Sequence, residues 1–317
     1  LCYKILSKKN NIKIEAINCG SNPEIFLHLL KYDSTYGVDE TMKDLKIFQE
    51  NDEIFFIEKE KKIKIFSEKN IENLSWTQPD ILFECSGKFT DRKNLENHLK
   101  NGAKKVLLSC PAKDKIKSIV LGVNENCLEK NDDIISISSC TTNCASPILK
   151  IIDEEFGIES AFLTTVHAYT SDQNLLDGSH RDFRRARSAA RSIIPTSSGA
   201  AENIEIILPN LKGKIKASAL RVPVENGSII DVSLILKKNI SKEEVNNFVK
   251  LKSKSFEKKI IQYCSDPIVS IDIIKNEYSC VFDSCLTEVL NEKILKIFCW
   301  YDNEFAYAYR MCDIIEY

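Results

Sequence analysis

Residues 134–144 read Ile-Ile-Ser-Ile-Ser-Ser-Cys-Thr-Thr-Asn-Cys, and the chain changes character across them. The apolar run at 134–138 is typical of a buried strand, and residues 147–156 have the pattern of a helix. Cys140 therefore lies between a strand and a helix. Free backbone N–H groups and the helix dipole at such a place favour thiolate over thiol.

Upstream of this stretch, short apolar runs alternate with amphipathic ones. The pattern predicts strands at residues 12–17, 81–85 and 105–109, helices at 23–32 and 94–101, and a hairpin at 55–66. Such alternation is typical of a mostly parallel sheet with helices on both faces. Ligands bind beyond the C-terminal ends of parallel strands, which here means Asn18, Ser86 with Gly87, and Ser109.

Downstream of Cys140 the pattern changes to long strands. They are predicted at residues 160–169, 216–222, 228–237 and 295–300, with helices at 200–208 and 242–252. This predicts an α+β domain built on a large, mostly antiparallel sheet. The polar, arginine-rich segment 174–194 is predicted to be a long ordered loop, and loops of that length tend to be functional.

Composition excludes several classes of protein. A net charge of -2 over 317 residues argues against a dedicated nucleic-acid or membrane-surface protein. No apolar run approaches the roughly 20 residues of a membrane span. The 12 cysteines are scattered and the 4 histidines lack zinc-binding spacing, so we expect reduced thiols, a cytoplasmic location and no bound metal. The opening run at residues 1–6 reads as the middle of a helix, which predicts a natural N-terminus further upstream.

His167 is the candidate proton partner of Cys140, because it ends a second β-rich run at residues 161–166. The structural alternative for this pair is a buried cysteine and a core histidine. Cys144, one helical turn after Cys140, is expected to be a packed core thiol.

Six motifs carry a resemblance to a known family. They are residues 31–35 (KYDST), 139–144 (SCTTNC), 164–170 (TTVHAYT), 193–201 (IIPTSSGAA), 221–223 (RVP) and 300–304 (WYDNE). In this order they resemble the phosphorylating glyceraldehyde-3-phosphate dehydrogenases over essentially the whole chain.

The resemblance implies a Rossmann-type dinucleotide-binding domain, residues 1–138 with the C-terminal helix 303–317, and a catalytic domain, residues 139–302. It implies phosphorylating oxidation of glyceraldehyde 3-phosphate to 1,3-bisphosphoglycerate with NAD or NADP, in glycolysis or gluconeogenesis. Cys140 would attack the aldehyde to give a thiohemiacetal, and hydride transfer would leave a thioester that inorganic phosphate cleaves. His167 would hold the thiolate as an ion pair and take the hydroxyl proton.

The resemblance also implies binding residues. Those for the substrate phosphate and the attacking phosphate are Ser139, Thr141, Thr170, Arg185, Ser198, Gly199 and Arg221. Arginine suits this role because it donates two parallel hydrogen bonds to phosphate. The alternative for Arg185 and Arg221 is a surface ion pair. Those for the cofactor are Asn18, Cys19, Lys69, Ser86, Gly87, Ser109 and Asn303, with a solvated surface lysine as the alternative for Lys69. The loop 174–194 resembles the segment that packs across subunits in the family's homotetramer.

The chain departs from the family pattern in four places. The family's glycine-rich turn is absent because the chain begins after it, and Cys19 stands where relatives place an acidic residue for the ribose hydroxyls. The choice between NAD and NADP is therefore open. Ser198 replaces the usual threonine but keeps the hydroxyl, and Ala306 stands where glycine is common. Competing hypotheses are an erythrose-4-phosphate dehydrogenase, a non-catalytic binding protein that kept the fold, and a cofactor-free cysteine hydrolase.

Overall fold

The computed structural model describes residues 1–58 and 61–317, and the chain divides into two compact units. The first unit is Leu1–Lys117, Glu129–Ser136 and Met311–Glu316, and the second is Ser118–Leu128, Ile137–Arg310 and Tyr317. The domain boundary predicted at residue 138 lies close to Ser136. Residues 118–128 and 303–310, predicted in the first domain, belong to the second unit, since Val120 packs with Ile207 and Asn303 bonds to Ser228.

The elements of the first unit follow in chain order. Its helices are α1 (Cys2–Leu6), α2 (Pro23–Lys31) and α3 (Arg92–Lys100), and its strands are β1 (Ala16–Asn18), β2 (Tyr32–Asp33), β3 (Gly37–Val38), β4 (Lys46–Glu50), β5 (Glu53–Glu58), β6 (Lys61–Phe66), β7 (Leu82–Glu84), β8 (Val106–Leu108), β9 (Lys117–Ser118) and β10 (Ile134–Ser136). One sheet has the order β1–β6–β5–β4 and another the order β7–β8–β10–β9.

The two sheets of the first unit differ in strand direction. β8 is parallel to both β7 and β10, as the alternating pattern predicted. β1 is parallel to β6, but β5 is antiparallel to both of its neighbours. The strands of the first unit thus form two sheets, and the sheet containing β7, β8 and β10 confirms the expected parallel sheet. The hairpin of β5 and β6 was predicted correctly, although residues 59 and 60 lie outside the described part of the chain.

Local sequence explains where these elements begin and end. Strand β1 is shorter than the predicted 12–17, because only Ala16, Ile17 and Asn18 pair with β6. Helix α2 begins after Asn22, whose side-chain oxygen accepts a hydrogen bond from the N–H of Glu24.

Each sheet of the first unit has its own apolar core. Met42, Leu45 and Phe56 are at most 1% exposed beside the first sheet, and Leu95 and Leu108 are fully buried beside the second. Burial of one such side chain contributes about 1.5–3 kcal/mol.

The second unit contains the longest strands. Its helices are α4 (Cys140–Phe156), α5 (Ala200–Ile207), α6 (Lys242–Lys252) and α7 (Phe305–Asp313, of which residues 311–313 belong to the first unit), and its strands are β11 (Ile158–Ala168), β12 (Ile194–Thr196), β13 (Ile215–Val222), β14 (Ser228–Leu236), β15 (Ile261–Cys264), β16 (Cys280–Asp283), β17 (Glu288–Leu290) and β18 (Ile294–Tyr301). They form one sheet in the order β12–β13–β11–β14–β18–β16–β15, with β17 beside β18. Only the pairs β11–β13 and β15–β16 are parallel within the described sheet, which confirms the mostly antiparallel expectation.

Helix α4 begins earlier than predicted. Its first residue is Cys140 rather than Pro147, because Ser139 caps the helix by accepting a hydrogen bond of 3.1 Å from the N–H of Thr142. Pro147 therefore lies inside the helix, although proline is more common at the first helical turn. Cys144 is fully buried, as expected for a core thiol.

Candidate active site

A sharp turn places Cys140 at the start of α4. Ser138 has a φ of 60°, in the left-handed region that non-glycine residues adopt rarely. Its carbonyl oxygen accepts a hydrogen bond of 2.9 Å from the hydroxyl of Tyr307. This left-handed residue lies two positions before Cys140, which is the first residue of the helix, where the dipole is positive.

His167 lies next to Cys140. The Sγ of Cys140 is 3.4 Å from Nε2 of His167, a residue near the end of β11 that is 4% exposed. The other ring nitrogen, Nδ1, lies 2.7 Å from the carbonyl oxygen of Ala168. Nδ1 therefore contacts a carbonyl oxygen, which can only accept, and it also lies 2.9 Å from the guanidinium of Arg221, which can only donate. In the tautomer in which Nδ1 donates to Ala168, the lone pair of Nε2 faces the thiol.

Arg221 is the cation of this site. β13 pairs Arg221 with His167 in the sheet, and its Nη1 lies 2.9 Å from Nδ1 of His167 and 3.1 Å from the carbonyl oxygen of Ala168. Its Nε is buried without a hydrogen-bond partner, and no carboxylate within residues 1–58 and 61–317 forms an ion pair with it. A half-buried cation in this state is suited to an anionic ligand.

The pKa shifts of the pair follow from burial. Burial raises the pKa of the Cys140 thiol, and the positive charge of Arg221 and hydrogen bonds at the start of α4 oppose that rise. Burial, with Arg221 adding to it, lowers the pKa of His167 to about 3. Both directions favour a neutral thiol beside a neutral imidazole. The ion pair expected from the sequence stays a prediction.

Tyr301 completes the site and was not identified from the sequence as a site residue. Its hydroxyl lies 2.9 Å from Oγ1 of Thr141 and 2.8 Å from Oγ1 of Thr165, and its ring meets that of His167 edge-on at 5.9 Å between centroids. Tyr301 is 1% exposed. It therefore links the first turn of α4 to β11. The one sequence signal that could have identified Tyr301 as a site residue is its place in the motif at residues 300–304.

Arg185 is held by acidic side chains. The sequence did not identify these residues as its partners. It forms an ion pair with Asp172, lies 3.6 Å from a carboxylate oxygen of Asp182, and donates a hydrogen bond of 3.0 Å to Oγ1 of Thr196. Within the described residues its charge is therefore balanced by two carboxylates, unlike that of Arg221.

The remaining predicted phosphate ligands lie at helix starts and turns. Ser139 caps α4, and Oγ of Ser198 accepts a hydrogen bond of 3.2 Å from the N–H of Ala200 in the first turn of α5. Gly199 is the residue that precedes α5, and Thr170 begins a turn in which its carbonyl accepts from the N–H of Gln173. Helix N-termini present free N–H groups, which suit anions.

Asn303 has a fixed amide orientation. The N–H of Ala168 donates to Oγ of Ser228, which frees the Ser228 hydroxyl proton to donate to Oδ1 of Asn303 at 2.8 Å. The amide nitrogen of Asn303 is therefore the group left to donate to a ligand. This relay joins the residue after His167 to Asn303.

The predicted cofactor residues of the first unit follow strand ends. Asn18 ends β1, and its side chain bonds to both the N–H and the carbonyl of Glu68, so it braces a loop. The Cys19 thiol lies 3.1 Å from the carbonyl of Ser21 and 3.3 Å from that of Phe66.

Three further candidates follow the parallel sheet. Ser86 and Gly87 come after β7, where the N–H of Ser86 donates to the buried carboxylate of Glu84 at 2.7 Å and Gly87 has a φ of 67°. Ser109 comes after β8, the neighbouring strand. Lys69 is exposed, and the alternative given for it was a solvated surface lysine.

Two features are absent from the described residues. Within residues 1–58 and 61–317, no group of three or more His, Cys, Asp or Glu side chains is arranged to hold a metal ion. No helix in the same part of the chain is long and apolar enough to cross a membrane.

Comparison with known proteins identifies similar sequences along the chain. Residues 1–92 match the family model of the glyceraldehyde 3-phosphate dehydrogenase NAD binding domain, and residues 139–303 match the model of its C-terminal domain. A glyceraldehyde-3-phosphate dehydrogenase of Borreliella burgdorferi is 44% identical over 99% of this chain and 94% of its own length. Glyceraldehyde-3-phosphate dehydrogenase 2 of Bacillus subtilis is 40% identical, covering 97% and 90%. A chloroplastic glyceraldehyde-3-phosphate dehydrogenase of Arabidopsis thaliana is 41% identical, covering 98% and 77%.

Proposed function

The chain belongs to the glyceraldehyde-3-phosphate dehydrogenase family, and from this premise we propose how its residues oxidise and phosphorylate glyceraldehyde 3-phosphate. The enzyme is an NAD-dependent oxidoreductase that converts this aldehyde and inorganic phosphate into 1,3-bisphosphoglycerate. The 3.4 Å separation of Cys140 Sγ and His167 Nε2 carries the assignment of the catalytic residues. Relatives with the same name do not favour the erythrose-4-phosphate, binding-protein or hydrolase hypotheses.

Cys140 acts as the nucleophile and His167 as the base. Nε2 of His167 accepts the thiol proton as Sγ bonds to the aldehyde carbon, and it returns that proton to the oxygen, giving a thiohemiacetal hydroxyl. A bound nicotinamide supplies the hydride acceptor. His167 takes the hydroxyl proton during oxidation, which leaves a thioester on Cys140. A phosphate oxygen then attacks the carbonyl carbon, the C–S bond breaks, and His167 returns a proton to the sulfur.

The neutral resting pair is consistent with this sequence of steps. A neutral imidazole with a free lone pair on Nε2 can accept a proton at once, whereas an imidazolium cannot. Arg221, 2.9 Å from Nδ1, opposes a lasting positive charge on the ring. His167 therefore carries the proton only during the reaction.

Arg221 is the proposed principal phosphate ligand, since its charge has no carboxylate partner within the described residues. Hydroxyl and backbone donors around it are proposed to be those of Ser139, Thr141, Thr170, Ser198 and Gly199. Arg185 would join them only when a phosphate oxygen replaces Asp172 or Asp182.

The residues present fit a nicotinamide nucleotide at Asn303, whose amide nitrogen is left to donate to the carboxamide. Within the first unit, Ser86, Gly87 and Ser109 follow the ends of parallel strands and are proposed cofactor-binding residues, as are Asn18 and Lys69.

We propose that NAD is preferred over NADP, although Cys19 replaces the usual acidic residue. A cavity of about 470 Å³ beside Cys19 is lined by Ser21, Asn22, Pro23, Glu24, Ile47, Gln49, Ile54 and Ser67. None of these eight lining residues is basic, and Glu24 would repel a 2′-phosphate.

A homotetramer is the proposed assembly, with the loop 174–194 at an interface between subunits. Four apolar side chains of this loop are largely exposed, namely Leu175, Leu176, Phe183 and Ile193. Contiguous exposed apolar groups mark protein interaction surfaces. A cytoplasmic location is proposed because all twelve cysteines are free and Cys140 must stay reduced.

The test follows absorbance at 340 nm with glyceraldehyde 3-phosphate. Turnover should require inorganic phosphate and be faster with NAD than with NADP. The Cys140→Ser variant should have no measurable turnover, whereas phosphate-independent oxidation or an active Cys140→Ser variant would contradict the mechanism. Faster turnover with NADP would contradict the argument from Glu24.

A further inference from the structure

Three cysteines from distant parts of the sequence meet in the first unit. Cys2 lies in α1, Cys85 directly follows β7, and Cys312 lies near the end of α7. The Cys2 side chain shares hydrogen bonds with the thiols of both Cys85 and Cys312. The Cys312 thiol also lies 3.9 Å from the carbonyl oxygen of Cys2. Cys2 is therefore the central thiol of this trio.

Ion pairs join the chain segment that follows Cys2 to the segment that contains Cys312. Nζ of Lys9, just beyond α1, lies 3.8 Å from a carboxylate oxygen of Asp313 and 2.9 Å from one of Glu316. Asp313 is adjacent to Cys312. The segment that carries Cys312 is thus fixed against the segment that carries Cys2, and the two thiols stay close without a covalent bond.

Access and ionisation differ among the three thiols. Cys85 is exposed, Cys2 is half-buried and Cys312 is fully buried. Hydrogen bonds from Cys312 and Cys85 lower the pKa of Cys2 to about 4, and the bonds to Cys2 raise the pKa of both partners. The thiolate is the reactive form of cysteine. Cys2 combines partial exposure with a lowered pKa, whereas Cys85 is exposed but has a raised pKa, so Cys2 is the thiol of this trio expected to react first with an oxidant.

We propose that Cys2 and Cys312 are a site of reversible oxidation, at which hydrogen peroxide converts the two thiols into a disulfide. The Cys2 sulfur attacks one peroxide oxygen, the O–O bond breaks, and Cys2 becomes a sulfenic acid with release of hydroxide. The Cys312 sulfur then attacks the Cys2 sulfur, and the sulfenic hydroxyl leaves as water. In total two thiols and one peroxide give one disulfide and two waters, and an added thiol reverses the change.

A second trio serves as a matched control within the same chain. Cys280 in β16 shares side-chain hydrogen bonds with Cys144 and Cys299, which is the same arrangement around a central thiol. All three are 0% exposed. The arrangement of thiols is thus similar, but solvent reaches only the trio of Cys2.

The experiment uses the full chain with Cys140→Ser, which removes the nucleophile of the active site. One equivalent of hydrogen peroxide is added at pH 7, free thiols are blocked, and non-reduced tryptic peptides are identified by mass. We expect the peptide that ends at Lys4 to be linked to residues 311–317, with Cys144, Cys280 and Cys299 still reduced. A link to Cys85 instead, no link at all, or equal oxidation of the buried trio would overturn the proposal.

Single variants separate the two steps. Cys2→Ser should abolish the link, and Cys85→Ser should keep it. Cys312→Ala should leave a sulfenic acid on Cys2 that dimedone traps, and its thermal unfolding is compared to verify folding. Alkylation of Cys2 by iodoacetamide should change less than roughly twofold between pH 6 and 8, against roughly 75-fold for a thiol of pKa about 8.5. A steep profile at Cys2, or no trapped sulfenic acid in folded Cys312→Ala, would refute the assignment of Cys2 as the attacking thiol.

Discussion

Replacing Arg221 by methionine tests the electrostatic account of the active site most directly. The substitution keeps an apolar stem on β13 and removes the cation that lies 2.9 Å from Nδ1 of His167. Two effects should follow. The phosphate group of the substrate loses a ligand, and the imidazole loses a positive neighbour.

The size of the first effect follows from the hydrogen bonds of Arg221. Its Nη1 already donates to the carbonyl oxygen of Ala168, so Nη2 is the terminal nitrogen left for a phosphate oxygen. One charge-assisted hydrogen bond contributes about 1.5–3 kcal/mol. The value of kcat/KM for glyceraldehyde 3-phosphate should therefore fall roughly 10- to 150-fold.

The second effect concerns the pKa of His167. Arg221 is one of the causes that lower it to about 3, so the variant should have a higher value. A base must be neutral to accept a proton, so the acid limb of the kcat/KM profile should move to higher pH in the variant.

The assay measures kcat/KM for the aldehyde between pH 5 and 9 at saturating NAD and phosphate. Because the pKa of His167 is about 3, the acid limb of the unaltered enzyme lies below this range, and we expect a limb to enter the range in Arg221→Met. Arg185→Met is the matched control, because Asp172 and Asp182 already balance the charge of Arg185. It should lower kcat/KM less than Arg221→Met does and shift the acid limb less, since Arg185 contributes less than Arg221 to the lowered pKa of His167. A larger loss in Arg185→Met than in Arg221→Met would refute the reasoning, as would an unchanged kcat/KM in Arg221→Met.

Three further predictions concern other residues. His167→Asn should slow oxidation roughly 10²- to 10⁴-fold, measured as the pre-steady-state rate of NADH formation, and a loss below tenfold would rule out His167 as the base. Cys144→Ala should lower stability by about 1–2 kcal/mol in urea unfolding with near-normal turnover, and a loss of turnover as large as that of Cys140→Ser would show that the wrong thiol was chosen. Hydrogen bonds from His98 and Ser86 lower the pKa of Glu84 against the opposing effect of burial. That carboxylate therefore stabilises the fold at pH values above its unfolded pKa of about 4.3, and this contribution is lost as the pH falls. The Glu84→Gln variant should show a weaker dependence of the urea midpoint on pH between pH 3 and 6. An unchanged slope would contradict the argument.

Most elements could be predicted because their signals are local. Helix α6 has the predicted bounds of residues 242–252, since Ser241 is a capping residue followed by a periodic run. The start of α4 was wrong by seven residues, because Pro147 looks like a first helical residue while the cap at Ser139 depends on backbone geometry. Strand β1 was wrong for a different reason: pairing with β6, not local pattern, decides its length.

The proximity of Cys140 to His167 could be predicted from the sequence, because Cys140 follows one strand and His167 ends the next. The roles assigned to them stay predictions. Tyr301 was missed because its contacts with Thr141 and Thr165 join residues more than 130 positions apart. Nothing in a linear pattern fixes such contacts.

The sequence by itself determined the family, the class of reaction and the residue types that the chemistry requires, because motif spacing and alternation of apolar residues are local properties. Only the tertiary structure decided the state of those residues. Within the described residues it left Arg221 without a carboxylate partner while giving Arg185 two. Burial raised the pKa of Cys140 and lowered that of His167, and the fold brought Cys2 beside Cys312. Charge balance, desolvation and thiol contacts depend on neighbours in space, and the folded chain alone supplies them.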